Sequence, residues 1–187
     1  MSYVDWMKTS PGQIVLRCSQ RDIYVAFVLH NRLAQMYSIT KRFADITFEH
    51  NAWMTIGGKT VRESEPWYEL AGSSWNLAAV TSNIAQTKLF ENSEDDSSIK
   101  SACSGFQLAA GILSYLQQKS KYVTKDKDLD SQNLKFNITL MLQQAQEVIV
   151  VKSLRDGKKS STTAKLSWMC SDYCETLGNS LTFRKRF

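Results

Sequence analysis

The sequence predicts a mainly α protein: an antiparallel, solenoid-like (TPR-like) helical bundle with a short β-hairpin near residues 46–61. Three observations carry this. Only two prolines and eight glycines occur in 187 residues, too few breakers for a turn-dense β-fold. Apolar residues recur at steps of three and four over successive long segments, the period of an α-helix with one buried face. Short polar or charged stretches separate those segments, in a helix-pair rhythm without a strong internal repeat. With 43% hydrophobic and 22% charged residues, the composition suits one domain with a real core.

Residues 1–20 read as irregular, with Pro11-Gly12 as a turn signal. From Asp22 to about Phe43, Ile23, Phe27, Leu29, Leu33, Met36 and Tyr37 predict a helix. "ITFEHNAWMTIGGKTV" (46–61) is rich in β-branched and aromatic residues around Gly57-Gly58, which predicts two short strands and a tight turn. "SEP" (64–66) is a helix start, with Ser64 able to cap and Pro66 losing nothing in a first turn. That helix is expected to run to Leu89. The acidic "ENSEDDSS" (91–98) supplies caps and dipole-favoured carboxylates for a helix over Ser97–Lys119, with Ile99, Cys103, Phe106, Ala110 and Leu113 on one face. A charged linker (119–132) leads to a helix over Asp130–Arg155, ended by Gly157. The last helix is expected near Ser160–Leu177, with Leu166, Met169, Tyr173 and Leu177 on one face. The resulting domain scheme is an irregular 1–20, a helical domain over 21–180 and a basic tail over 181–187.

"LMLQQAQEVIVVKSLRD" (140–156) sets four long polar side chains inside an apolar run. On a helical projection of about 100° per residue, Thr139, Gln143, Gln146, Glu147 and Ser153 share one stripe. Ile138, Met141, Leu142, Ala145, Val148 and Ile149 form the opposite face, and Val150 is an apolar residue within the polar stripe. The stripe reads as structural rather than as a site. Gln144 falls on the flank, beside Leu140 and Val151, where it needs a buried partner.

Several chemistries are excluded. Four cysteines without a C-x-x-C and two histidines make no zinc pattern. "GGKT" (57–60) resembles the end of a phosphate-binding loop, but Trp53 stands where its first glycine belongs. There is no G-x-S-x-G, and the Asp95-Asp96 pair reads as a cap. No nucleophilic or metal constellation emerges, so neither an enzyme nor a cofactor is expected. A net charge of +5 and a pI near 9.0 are mildly basic, with cations grouped only at 119–128, 155–159 and 183–187. A solvated surface accounts for these, and no nucleic acid is expected. No signal peptide and no apolar stretch approaching 18 residues is seen, so an intracellular, cytoplasmic location is expected.

Three segments in order resemble one family: "KTVRESEPWYELAGSSWNLAAVTSNIAQ" (59–86), "IKSACSGFQLAAGILSYLQQ" (99–118) and "LMLQQAQEVIVVKSLRDGKKSSTTAKLS" (140–167). Their Tyr68-Glu69 and Trp75-Asn76-Leu77, their Ala110-Gly111 and their Ala145-Gln146-Glu147 are similar to signatures of the Bro-one domain family, the boomerang-shaped helical domain of ALIX and of the His-domain protein tyrosine phosphatase. The resemblance covers roughly residues 33–177. It implies a partial domain, without the amino-terminal strands and distal helical arm of a full one, and carries no catalytic domain with it.

The resemblance implies a non-enzymatic adaptor that docks the C-terminal amphipathic helix of an ESCRT-III subunit in endosomal sorting and is recruited from the cytoplasm to endosomes. Such recognition sets apolar anchors into a shallow patch. By position, Ile149, Thr162 and Leu166 fall on the family's patch, with Val150 and Met169 beside them. Thr162 departs from the family's aliphatic residue, a change worth about 1 kcal/mol at a well-packed contact. The resemblance leaves two other roles open: a Rho-signalling scaffold of the rhophilin type, and a basic module touching anionic membrane, endosomal membrane included, or RNA.

Overall fold

Each long apolar-periodic segment forms a helix, and each helix packs chiefly on its neighbour in sequence. The computed structural model describes residues 20–42, 51–54, 60–63, 66–91, 94–119 and 127–184. Helix α1 spans Gln20–Arg42. Strands β1 (Asn51–Met54) and β2 (Thr60–Glu63) pair antiparallel, with Trp53 opposite Val61. Helices α2 (Pro66–Glu91), α3 (Asp96–Lys119), α4 (Ser131–Arg155) and α5 (Ser160–Arg184) follow, with a 3-10 turn at Lys127–Leu129 before α4. The expected hairpin is therefore present, its second strand ending two residues later than the sequence suggests. Residues 1–19 and the proposed Ser64 cap lie outside the described residues.

The core lies where α2, α3 and α4 meet. Tyr68, Ala71, Ala78, Ala109, Leu113, Leu116 and Leu134 form one buried group, and Ala85, Ile99, Ala102, Phe106, Ala145 and Val148 a second. Met141 packs against both. Small residues let α2 and α3 approach closely: a Cβ built on Gly105 would stand 2.8 Å from the Ala85 Cβ. Leu129 is buried in the first group, so the end of the expected charged linker is part of the core.

The caps follow the chemistry of their residues. Pro66 is the first residue of α2, where its missing N–H costs nothing. The Asp95 carboxylate accepts the Ser98 backbone N–H at 2.9 Å and both the Ser97 and Ser98 hydroxyls, capping α3. Lys152 and Arg155, in the last turn of α4, both pair with Asp96 and Asp156, and Arg155 also donates to the Glu94 carbonyl at 2.8 Å. This cluster ties the end of α4 to the start of α3.

Two expectations need correction, the buried face of α1 and the end of α5. On α1, Leu29 and Met36 are buried, but Phe27 is 62% and Tyr37 45% exposed. The helix packs chiefly on α2, so only the arc around Leu29 is covered. On α4 the polar stripe is structural as expected, with Gln146 and Ser153 buried under α5 and Glu147 left exposed. Helix α5 itself runs to Arg184, seven residues past Leu177 and into the expected basic tail.

Candidate functional site

The α4–α5 hairpin is built by its turn. Gly157 has φ +60°, the left-handed conformation that glycine adopts without a Cβ penalty. Its N–H donates to the Leu154 carbonyl at 3.2 Å, and the Lys158 N–H to that of Ser153 at 3.0 Å. These are the two bonds of a Schellman cap. Helix α5 then starts with the Thr162 and Thr163 N–H groups donating to the Lys159 carbonyl.

Three side-chain contacts fix the pairing of the two helices. The Ser153 and Thr163 hydroxyls are 2.8 Å apart. Gln146 Nε2 donates to the Leu166 carbonyl at 3.0 Å. Gln143 Nε2 donates to Cys170 Sγ at 3.8 Å and to Glu147 Oε2 at 3.2 Å. Position falls on α4 as it rises on α5, so the helices are antiparallel and tightly registered. The polar residues that interrupt the apolar run are the means by which α4 holds α5. A buried amide stays favourable there because its N–H is partnered.

Ile149 lies three residues after Gln146 and four before Ser153, so within the apolar face it sits at the boundary with the polar stripe, at the edge of the arc of α4 that meets α5. In this register it is level with the Thr162–Leu166 turn. Ile149 and Leu166 are half-buried, while Thr162 is exposed and Met169 is 45% exposed. Thr162, Leu166 and Met169 recur at steps of four and three along one flank of α5. By helical period Thr162, Leu166 and Met169 thus share one flank of α5, and Ile149 falls at their level on α4. Val150 is turned about 100° from Ile149 and falls between Gln146 and Gln143, on the arc of α4 that faces α5.

Trp168 is absent from the residues the sequence singles out. It falls between Leu166 and Met169, yet about 160° from Leu166 around the helix, and is 70% exposed. Gln144 finds no buried partner: its carbonyl oxygen is buried without a hydrogen bond.

The remaining chemistry is sparse. Burial pushes the Cys103 and Cys170 thiols up, which leaves them protonated at neutral pH. No group of three metal-ligating side chains occurs among the described residues. No helix among them is long and apolar enough to cross a membrane. An open cleft of about 440 Å³ separates the first turns of α4 from the last of α5, lined by Ser131, Lys135, Phe136, Thr176 and Asn179. It lies at the opposite end of the hairpin from Ile149 and Leu166.

The family model of the BRO1-like domain matches residues 27–186. The chain belongs to the BRO1-like domain family. The match extends the resemblance seen in the sequence by several residues at each end and takes in most of α1 and all of α5. Over 168 residues the chain is 31% identical to tyrosine-protein phosphatase non-receptor type 23 of Homo sapiens, covering 85% of this chain and 10% of that protein. It is 34% identical over 100 residues to the vacuolar protein-sorting protein bro1 of Aspergillus fumigatus, covering 54% of this chain and 10% of that one. A solved ALIX BRO1 CHMP4C complex is similar in fold, with TM-score 0.75 and 22% identity over 92% of this chain and 50% of the ALIX chain. The chain thus spans half or less of the proteins it matches.

Proposed function

We propose that the α4–α5 surface docks the C-terminal amphipathic helix of an ESCRT-III subunit, as a non-enzymatic adaptor recruited from the cytoplasm to endosomal membranes. The observation that carries this reading is the placement of Ile149 level with Thr162 and Leu166, on helices locked by the Gln146 and Ser153 hydrogen bonds. A rigid, shallow apolar patch suits a partner helix with anchors three and four residues apart. The pairing of an ALIX BRO1 chain with CHMP4C in a similar fold supports it. Met169 extends the patch along α5. Val150 lies between Gln146 and Gln143 on the arc that faces α5, so its substitution reads the packing beneath the patch.

The test is titration of a fluorescent ESCRT-III C-terminal helix against the intact chain. Leu166→Asp places a charge among the anchors and is expected to weaken binding about 30-fold or more, the scale of an interface hot spot of roughly 2 kcal/mol. Thr162→Ile restores an aliphatic side chain and is expected to strengthen it about fivefold. Unchanged affinity in Leu166→Asp, with the helical circular dichroism intact, sinks the assignment.

A further inference from the structure

We infer that Thr162 is a phosphorylation site for a kinase that reads cations on both sides of its acceptor, and that the phosphate closes the α4–α5 surface to a partner helix. The regulatory half of this inference rests on the ESCRT-III reading of that surface; the acceptor half does not.

Thr162 stands where the resemblance places an aliphatic residue, so this chain carries a hydroxyl beside Leu166. Four hydroxyls follow one another at the start of α5: Ser160, Ser161, Thr162 and Thr163. The Thr163 hydroxyl is engaged with Ser153 at 2.8 Å. Thr162 is exposed, and its hydroxyl makes no hydrogen bond among the described residues. Around the helix Thr162 is about 40° from Leu166, whereas Ser160 and Ser161 are about 120° and 140° away. Of the four, Thr162 is the exposed hydroxyl on the flank of the patch.

The surrounding charge suits such a kinase, whose selectivity comes from the charge pattern of its substrate. Lys158 and Lys159 lie four and three residues before Thr162, and Lys165 three after it. None of the three has an ion pair among the described residues. Lys152 and Arg155, by contrast, are held by Asp96 and Asp156. The cations of 155–159 that the fold leaves free are therefore the two nearest the acceptor. Every residue from Leu154 to Thr162 is exposed. The Thr162 and Thr163 N–H groups hold the first turn of α5 through the Lys159 carbonyl, at a helix end that frays.

The Thr162 hydroxyl oxygen attacks the γ-phosphorus of ATP, and the bond from that phosphorus to the β–γ bridging oxygen breaks. ADP leaves, and the hydroxyl proton passes to the catalytic carboxylate of the kinase. The product carries nearly two negative charges and three strong acceptor oxygens, within reach of Lys158, Lys159 and Lys165. Toward a partner helix the same group is a hydrated dianion in place of an apolar contact, which the helix covers only by stripping its water.

The test joins site mapping to titration. The chain is incubated with ATP and the catalytic domain of protein kinase C, and the phosphate is located by mass spectrometry. Phosphate is expected on Thr162, with incorporation there falling about tenfold or more when Lys158 and Lys159 are both replaced by Ala. The phosphorylated chain is expected to bind a fluorescent ESCRT-III C-terminal helix about 30-fold or more weakly, with circular dichroism unchanged. Thr162→Val is expected to bind at least as tightly as the unmodified chain and to lose its response to kinase and ATP. Ser161→Ala is expected to keep both the phosphate on Thr162 and the response. Phosphate on another residue, or on none, overturns the inference, as does unchanged affinity in a chain phosphorylated on Thr162. If phosphate reaches Thr162 while Leu166→Asp leaves the affinity of the unphosphorylated chain unchanged, the acceptor is supported and the ESCRT-III reading falls together with the regulation built on it.

Discussion

Gly105 and Gly111 lie on the same helix, and replacing each by alanine separates backbone propensity from packing. A Cβ at Gly105 would sit 2.8 Å from the Ala85 Cβ, 3.6 Å from its Cα and 3.7 Å from the Thr81 carbonyl oxygen. Ala85 is buried and has no flexible side chain to move, so α2 and α3 must separate or tilt. Overpacking of this kind costs about 2 kcal/mol, while alanine in a helix interior regains about 1 kcal/mol over glycine. Gly105→Ala is therefore expected to destabilise by roughly 1 kcal/mol. At Gly111 nothing lies within 4 Å of the added Cβ. Gly111→Ala is expected to stabilise by roughly 1 kcal/mol, raising the melting temperature by about 2–4 °C. The gap between the variants, about 2 kcal/mol, is the steric cost itself. Urea denaturation followed by circular dichroism reads both midpoints. Equal stabilisation by the two substitutions would refute the close α2–α3 approach on which the core rests.

Two further predictions follow from the polar groups. Asn76 is 1% exposed and neither its amide nitrogen nor its oxygen has a hydrogen-bond partner; Asn76→Leu keeps the branched shape but is larger, so relief of the buried amide offsets overpacking and stability in urea denaturation is expected to change by less than about 2 kcal/mol, whereas a larger loss would mean the amide is satisfied after all. The Ser97 hydroxyl, then the Ser98 N–H and hydroxyl, hold the Asp95 carboxyl at about 2, and Lys152, then Arg155, lower those of Asp96 and Asp156. Because these carboxyls are more acidic folded than unfolded, their stabilisation is present above the ordinary 3.8 and is lost as pH falls toward about 2. The unmodified chain is expected to exceed Asp95→Ala in urea midpoint at pH 6, with the difference shrinking below pH 4 and gone near pH 2; a difference independent of pH would show that the carboxylate charge plays no part in the cap.

Much of the fold is legible in the sequence because local chemistry decides it. Pro66 and the Asp95–Ser98 run mark helix starts by what they offer to free N–H groups. Gly157 marks a helix end because left-handed backbone there favours a residue without Cβ. On the apolar face of α3, Ile99, Phe106, Ala110 and Leu113 are buried as read, and Ala102, Ala109 and Leu116 widen the face, since that helix is covered by α2 on one side and α4 on the other. The outer helices are read less well. Phe27 on α1 and Met169 on α5 share the helical period of a core face, yet a helix with one main neighbour covers a narrower arc than its apolar residues span. The surface joining Ile149 to Thr162 and Leu166 is legible only as a family resemblance. Spacing alone parts Val150 from Ile149 by about 100°, but only the register of the two helices sets either one against a level of α5.

By itself the sequence determined five helices, a hairpin and their order, because caps, breakers and apolar period act within a few residues. Only the tertiary structure decided what those helices turn toward one another. The stripe of Gln143, Gln146 and Ser153 has the composition of a solvated face, and nothing local distinguishes it from one. It is the packing of α5 that desolvates Gln146 and Ser153, supplies each with a hydrogen-bond partner and thereby sets the register that brings Leu166 level with Ile149. That choice rests on contacts ten to twenty residues apart in the chain, a distance over which helical periodicity carries no information.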